Sequence, residues 1–359
     1  MPLVPGTSGG GVNNPYSVSG APLRPDLDPG HVPVSRRLPY SGWWAVGIGA
    51  LTGLVVRLIY WGDSGGAYDA MLGSFIFGSP LVVGAVTVYM AERIEGRSWG
   101  FYFVAPFLAN VLYIVGTLLI MVEGWICAIV IVPLFSLLGG LAGLAMGLVC
   151  RLTKWPRRAI VSSVALLPLI GGAFEHRLKG DSLELVQDRE IVVAATPDQV
   201  WRELIDTRDI RPDEVDQAWM YRIGVPTPRA GIGDFNNGEH LRHVTMGKGV
   251  RFDQVATEWQ ENRRVTWAYR FSKDSFPPGA LDDHVRIGGR YFDVIDSTYT
   301  LVPDAGGTRL HLRMHYRVST HWNWYAAPVA NLLVGDFAEV ILDFYAHRAT
   351  GRGTQPVAS

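Results

Sequence analysis

The chain has 359 residues, of which 48% are hydrophobic, and a formal net charge of -1. This composition is too apolar for an ordinary soluble protein, so it predicts a membrane part, and the length allows a second domain. The near-zero charge argues against nucleic acid as a partner, and the two cysteines, Cys127 and Cys150, lie in or beside an apolar run and indicate neither a disulfide framework nor a cysteine metal site.

A disordered tail is predicted for residues 1–40, because they are rich in Pro, Gly, Ser and Asn and lack the basic start and apolar core of a signal peptide.

A transmembrane helical region is predicted for residues 41–177. A fifth apolar run, Ala159 to Phe174, is short and contains Pro168, so the sequence allows four spans or five. Four longer runs can each cross a hydrocarbon core of about 30 Å: Gly42 to Trp61, Tyr68 to Ala91, Trp99 to Val122 and Trp125 to Cys150.

Basic residues flank alternate ends of these runs, which predicts an integral protein of the cell membrane with a cytoplasmic N-terminus. With five spans, the part of the chain after Phe174 lies outside the cytoplasm, and with four it lies inside. The basic residues are Arg36 and Arg37, then Arg93 and Arg97, then Arg151, Lys154, Arg157 and Arg158.

Small residues recur at helix-packing spacing within the spans, which suits close contact inside the bundle or a homo-oligomer formed through these glycine-rich spans. They are Gly49 and Gly53 in the first run and Gly139, Gly143 and Gly147 in the fourth. Arg57 lies near the end of the first run and is expected to snorkel toward Trp61 and the interface. With no acidic partner within the spans, the region is interpreted as an anchor rather than a transporter.

Residues 182–350 predict an α+β domain: a strand, two short helices, a run of strands and one long helix, with a disordered tail at 351–359. Thr196 is expected to cap the first short helix, which ends at Ile205, and the second is expected around Pro212 to Met220, before a Pro/Gly loop. The long helix is expected at Tyr325 to Arg348. The predicted strands are Leu185 to Ala194, His240 to Met246, Val250 to Trp259, Arg264 to Phe271, Tyr291 to Val302 and Arg309 to Val318.

Three features of this region resemble the START-like superfamily, also called SRPBCC, which includes polyketide cyclases/dehydrases and lipid-transfer proteins. They are the run Val193-Ala194-Ala195-Thr196-Pro197-Asp198-Gln199-Val200-Trp201, the turn Gly306-Gly307-Thr308-Arg309-Leu310 into a strand, and the amphipathic last helix. The resemblance implies a helix-grip fold, in which an antiparallel curved sheet and the C-terminal helix enclose an apolar cavity. It covers about half of the chain.

Alternating apolar residues on the predicted strands and the stripe of the last helix form an aromatic-rich interior, which is either a filled core or a pocket. A bulge is expected near Asp296-Ser297. The resemblance favours a pocket, with these predicted ligand-binding residues: Trp267, Tyr269, Phe271, Phe292, Tyr299, Leu312, Met314, Tyr316, Leu333, Phe337 and Ile341.

Polar residues offer weaker candidates. Four basic residues share the outer face of one strand opposite Asp293 and Asp296, as expected for cross-strand ion pairs or for a basic patch on lipid headgroups. They are His311, Arg313, His315 and Arg317. Two histidines four residues apart on a strand stand about 13 Å from each other, so no metal site is predicted there. No cofactor is predicted either.

Three functions remain open from the sequence. The preferred one is a membrane-anchored protein that binds a lipid or another hydrophobic small molecule. The second is a cyclase or dehydrase acting on a hydrophobic carbonyl substrate through Asp283, His284 and Tyr299, with the loop from Ser272 to Gly289 over the site. The third is an interaction module without a ligand. The sequence identifies neither the ligand nor the oligomeric state.

Overall fold

The computed structural model of the protein describes residues 43–62, 65–153, 162–178, 180–282 and 284–351, with the backbone alone for 162–165. The predicted tails, at 1–40 and at 351–359 apart from residue 351, lie outside the described residues, as does Asp283. The first half of the described chain contains the helices α1 (Trp43–Ile59), α2 (Gly73–Glu92), α3 (Trp99–Leu119), α4 (Trp125–Thr153) and α5 (Ser162–Glu175).

The membrane prediction is supported by helix length and composition. Within the described residues, four helices are long and apolar enough to cross a membrane: α2, α3, α4 and the last helix of the chain, Asn323–Ala349. The helices α1 and α5 are shorter, with 17 and 14 residues. At 1.5 Å per residue, α1 is about 25 Å long, slightly less than the hydrocarbon core.

One end of the bundle, here called the basic end, carries Arg97 and Arg151. The Arg151 guanidinium donates to the backbone oxygen of Arg97 at 2.8 Å and to the Tyr102 hydroxyl at 3.1 Å, and that hydroxyl donates to Glu92 at 2.7 Å. These contacts join the end of α2, the start of α3 and the end of α4. The predicted basic side is therefore a physical end of the bundle.

The opposite end, here called the junction end, contains a buried ion pair that corrects the expectation for Arg57. Its Nε lies 2.5 Å from Glu123, in the loop before α4, and the two side chains are only 6% and 8% exposed. A second nitrogen donates to the backbone oxygen of Tyr60 at 2.6 Å. Arg57 does not snorkel to the interface, because a carboxylate 66 residues later neutralises it in place.

Helix α5 returns the chain to the junction end. Pro168 lies against Gly78 of α2, and Glu175, the last residue of α5, accepts from the backbone N–H groups of Gly73 and Ser74, both at 2.7 Å. The two helices are therefore antiparallel, and the carboxylate caps the first turn of α2, where the helix dipole favours a negative charge. The α+β part begins at this end.

The recurring glycines pack inside the bundle. Within the described structure, each of them faces a side chain or backbone atom of a neighbouring helix, so that a methyl group there would collide with it. Gly49 meets Thr87, Gly53 meets Tyr113, Gly139 meets Asn110, and Gly143 and Gly147 both meet Tyr102. Close helix contact is therefore their observed role in this chain.

The α+β part is a seven-stranded antiparallel sheet with a long C-terminal helix, a helix-grip-like arrangement that agrees with the predicted fold class. The sheet order is β1-β7-β6-β5-β4-β3-β2, and every neighbouring pair is antiparallel. The strands are β1 (Ser182–Val193), β2 (Pro228–Asn236), β3 (Glu239–Met246), β4 (Arg251–Gln260), β5 (Arg264–Arg270), β6 (Phe292–Asp304) and β7 (Gly307–Ser319). The helices are α6 (Pro197–Ile205), α7 (Trp219–Arg222) and α8 (Asn323–Ala349).

Helix α8 packs its buried face on β1 and β7, so the apolar residues of this helix cover the sheet.

The cap prediction for α6 is confirmed, because Thr196 and Gln199 form a capping box. The predicted bulge is confirmed within two residues, since the β6–β7 register shifts between Val294 and Asp296. It turns Ser297 and Tyr299 toward the interior.

Two local predictions were wrong. The helix expected around Pro212 to Met220 is two short turns, Pro212–Glu214 and α7, because Val215 and Ala218 have non-helical backbone between them. The region assigned to a Pro/Gly loop contains β2, whose glycines and proline resemble a loop composition. β2 is the edge strand of the sheet, where a leading proline is tolerated.

Candidate functional site

An apolar cavity of about 150 Å³ lies between the junction end of the bundle and the α+β part. Met71, Ile126 and Val130 of the bundle form one wall, and Phe292, Ala330 and Leu333 belong to the opposite wall. In the chain, Val130 and Phe292 are more than 150 residues apart. The cavity therefore exists only because the two parts meet.

Specific contacts hold the two parts together around this cavity. The Tyr291 hydroxyl donates to Asp69, a fully buried carboxylate in the loop before α2. The Tyr325 hydroxyl on α8 donates to the backbone oxygen of Val130 on α4 at 2.6 Å. Trp322 and Tyr291 also belong to the same apolar cluster as the bundle helices. These contacts fix α8 and the start of β6 against the bundle.

His284 supplies a polar group at the wall of the cavity. Its ring centroid lies 6.1 Å from that of Tyr291. Its Nδ1 atom is buried and has no hydrogen-bond partner among the described residues. A neutral imidazole offers one donor and one acceptor, so this atom can bind a polar group of a molecule in the cavity. The neighbouring loop reaches the bundle as well, since Val285 joins the bundle cluster.

A second group of polar side chains lies deeper between the sheet and α8. Arg242 of β3 is 6% exposed, and its Nη2 atom donates to the Tyr345 hydroxyl at 2.8 Å. It also reaches Thr207 at 3.4 Å, and Nη1 reaches Gln254 at 3.3 Å. The strand register places Arg242 opposite Gln254, and Gln254 opposite Tyr269.

Tyrosine hydroxyls surround this guanidinium. Tyr269 and Ser297 share a hydrogen bond of 3.1 Å, and the ring of Tyr299 meets that of Tyr345 edge to face at 5.8 Å. Burial raises the pKa of Tyr269 and of Tyr299, and also that of Tyr221 on α7. The hydroxyls therefore stay protonated near neutral pH and act as neutral donors.

The predicted ligand-binding residues fall into three groups. Phe292 and Leu333 line the cavity at the junction. Tyr269, Phe271 and Phe337 are half-buried, and Phe337 packs edge to face on Tyr221 at 6.1 Å. The remaining six pack together in the core under the sheet: Trp267, Tyr299, Leu312, Met314, Tyr316 and Ile341. Their binding roles remain predictions.

The three predicted catalytic residues are not gathered into one described site. Asp283 lies outside the described residues. His284 faces the junction cavity, whereas Tyr299 lies in the buried cluster beside Tyr345. No contact between His284 and Tyr299 occurs in the described structure. Their catalytic roles remain predictions.

Cross-strand ion pairs occupy the outer face of β7, as expected from the sequence. His315 lies 3.3 Å from Asp296 of β6 and 3.2 Å from Glu184 of β1, and Arg317 lies 3.8 Å from Asp293. His311 pairs with Asp188 of β1 at 3.3 Å, a partner that was not expected from the sequence. These pairs account for His311, His315 and Arg317 on the polar face of this strand.

Arg242 and the bundle residues that line the cavity were not predicted from the sequence. Arg242 alternates with Val244 and Met246, which face the interior, so its position in β3 was a usable signal for an inward charge. Nothing in the sequence marked Met71 or Ile126, because their membership of the cavity depends on how the two parts are docked.

Comparison with known proteins found no matching family model and no matching curated protein. Several solved structures resemble part of this chain at low identity. A point mutant of norcoclaurine synthase from Thalictrum flavum is 14% identical, with 48% of this chain and 99% of that chain covered and a TM-score of 0.30. A protein from Thermus thermophilus is 16% identical over 48% of this chain and 100% of its own, with a TM-score of 0.30. A protein of unknown function from Staphylococcus aureus is 12% identical over 49% and 99%, with a TM-score of 0.31.

Proposed function

We propose that this protein is a membrane-anchored module whose START-like half binds a lipid or another apolar small molecule where that half meets the bundle. The observation that supports this most directly is the apolar cavity of about 150 Å³. Bundle helices form part of its wall, so a molecule that enters from the bilayer meets the binding site without crossing water. A lipid or another apolar molecule is more soluble in a bilayer than in water, so the bilayer can supply such a ligand.

The size and lining of the cavity suit an aromatic ring or a short apolar segment. An engineered apolar cavity of about 150 Å³ in another protein stays dry and binds benzene, so a space of this volume accepts a ring. Apolar walls also disfavour water, which needs two to four polar partners. His284 then provides the polar contact that orients the ligand.

The charge of the bundle supports a location outside the cytoplasm for the START-like half. Arg97 and Arg151 lie at the basic end, and the α+β part is attached to the opposite end. Cytoplasmic loops carry an excess of Lys and Arg. In the proposed orientation, the basic end faces the cytoplasm and the cavity lies near the outer leaflet.

The proposal is tested by identifying what the full-length protein carries after purification in mild detergent. Bound molecules are extracted with organic solvent and measured by mass spectrometry. Ala330→Phe places a ring in the cavity, because Ala330 lines it and is half-buried. Leu332→Phe is the matched control, since Leu332 lies on the same helix and is 63% exposed.

We expect the wild type and Leu332→Phe to carry the same apolar molecule, and Ala330→Phe to carry several-fold less. Full retention of that molecule by Ala330→Phe would place the ligand elsewhere. Extracts that contain only detergent and bulk lipid, in the proportions of the membrane, would contradict a binding function.

A further inference from the structure

Arg242 is a buried positive charge without a negative partner. Among the described residues, no carboxylate lies within ion-pair distance of its guanidinium, and its Nε atom has no hydrogen-bond partner. Of its three hydrogen bonds, only the one to Tyr345, at 2.8 Å, is of ordinary length, because those to Gln254 and Thr207 are 3.3 and 3.4 Å. An arginine cannot lose its charge in a protein. Burying it therefore costs free energy that a bound anion would offset.

The chain makes room for this side chain. Gly231 of β2 lies beside it, and a Cβ atom there would stand 2.5 Å from the guanidinium nitrogens. The surrounding groups are neutral donors and acceptors: Tyr269, Tyr345 and Gln254. They can hydrogen-bond an anion, but they do not balance the charge.

Two half-buried rings, those of Tyr221 and Phe337, are close in the chain to residues that line the apolar cavity. Tyr221 follows Met220, which lines the cavity, and Phe337 lies one helical turn after Leu333, which also lines it. The rings meet edge to face at 6.1 Å. From Leu333 to Tyr345, α8 rises about 18 Å at 1.5 Å per residue, so a molecule that reaches both regions must be elongated.

We propose that Arg242 binds the carboxylate of a long-chain carboxylic acid, whose apolar chain extends toward the junction cavity. This inference rests on the proposed function and adds the chemical class of the ligand. One buried cation balances one negative charge, which a carboxylate supplies. The two carboxylate oxygens also match the paired N–H groups of a guanidinium. A phosphate monoester carries a charge of about -1.5 to -2, so it would leave an uncompensated negative charge beside Arg242.

The test compares ligands on the delipidated full-length protein in detergent. The probes are hexadecanoic acid, hexadecan-1-ol and hexadecyl phosphate, and affinities are measured by competition with a fluorescent apolar probe. We expect the acid to bind roughly 10 to 100 times more tightly than the alcohol, because the alcohol cannot form a charge-assisted contact between two ions. In Arg242→Gln, the acid should lose this advantage while the affinity for the alcohol is kept.

Arg264→Gln is the matched control, since this arginine lies on β5 in a half-exposed ion pair with Glu258 at 2.8 Å, and it should keep the preference for the acid. If Arg242→Gln does not fold, the wild-type comparison still decides the question. Equal affinities for acid and alcohol would overturn this inference and leave the proposed function standing. Tighter binding of the phosphate than of the acid would overturn the assignment to a carboxylate. Binding of neither the acid nor the fluorescent apolar probe would overturn this inference together with the proposed function.

Discussion

Filling the cavity at the junction should stabilise the ligand-free protein, and Ala330→Phe tests this. An apolar cavity of about 150 Å³ costs at most about 3.6 kcal/mol at roughly 24 cal/mol per Å³, because this coefficient applies to a fully enclosed space. A phenyl ring recovers part of this amount, and replacing alanine in a helix costs about 0.5 kcal/mol. We expect a net gain of about 1 to 2 kcal/mol in the free energy of unfolding.

The assay is thermal unfolding of delipidated full-length protein in detergent. For a domain of 150 to 250 residues, each kcal/mol shifts the midpoint by about 2 to 4 °C, so Ala330→Phe should unfold about 2 to 8 °C higher than the wild type. Leu332→Phe adds a ring to the exposed face of the same helix and should change the midpoint little. A midpoint for Ala330→Phe well below that of this control would mean that the ring is overpacked, which refutes the reasoning from an open cavity.

Three further outcomes are expected from the same structure. Glu123→Gln leaves Arg57 buried without a full counter-charge and should lower the free energy of unfolding by about 3 to 5 kcal/mol, measured by thermal unfolding. Tyr291→Phe removes the donor to the buried carboxylate of Asp69 and should cost about 1 to 3 kcal/mol, with faster hydrogen exchange in residues 284–292. A hydrogen bond to the Asp253 carboxylate on β4 raises the pKa of His243. Its contribution to stability is therefore present below about pH 6.5 and lost as the pH rises through the higher folded-state pKa, a dependence that His243→Gln should remove.

Controls within the chain separate these effects from general damage. Glu339→Gln breaks an ion pair with Arg189 whose side chains are 63% and 36% exposed, and it should cost at most about 1 kcal/mol. A loss for Glu123→Gln no larger than this would show that its pair is hydrated. Unchanged hydrogen exchange in residues 284–292 of Tyr291→Phe would argue that the Tyr291 hydroxyl does not hold this segment against the bundle. A pH profile unaltered by His243→Gln would assign the dependence to another group.

Local spacing in the sequence was enough to predict most of the elements. Apolar runs indicated the helices from Trp43–Ile59 to Trp125–Thr153, and period-two alternation indicated β1 and β3 to β7, because a helix or a strand buries a face that repeats along the chain. The edge strand β2 shows no such alternation and was not predicted. Its glycines allow neighbouring side chains to approach the strand closely: Gly231 leaves space for Arg242, and Gly233 leaves space for Ile205. Contacts of this kind produce no regular alternation of apolar and polar residues in the sequence.

The sequence by itself determined that an apolar helical region precedes an antiparallel sheet with a long last helix. Only the tertiary structure decided where the open space lies and which charges are buried. The predicted lining included Leu333, but its partners across the cavity, Met71 and Ile126, come from the bundle. The neutral surroundings of Arg242 likewise depend on residues drawn from distant parts of the chain, from Thr207 to Tyr345. Periodicity reports which face of an element is buried, whereas a cavity depends on how well two such faces fit, and that fit is set by side chains far apart in the chain.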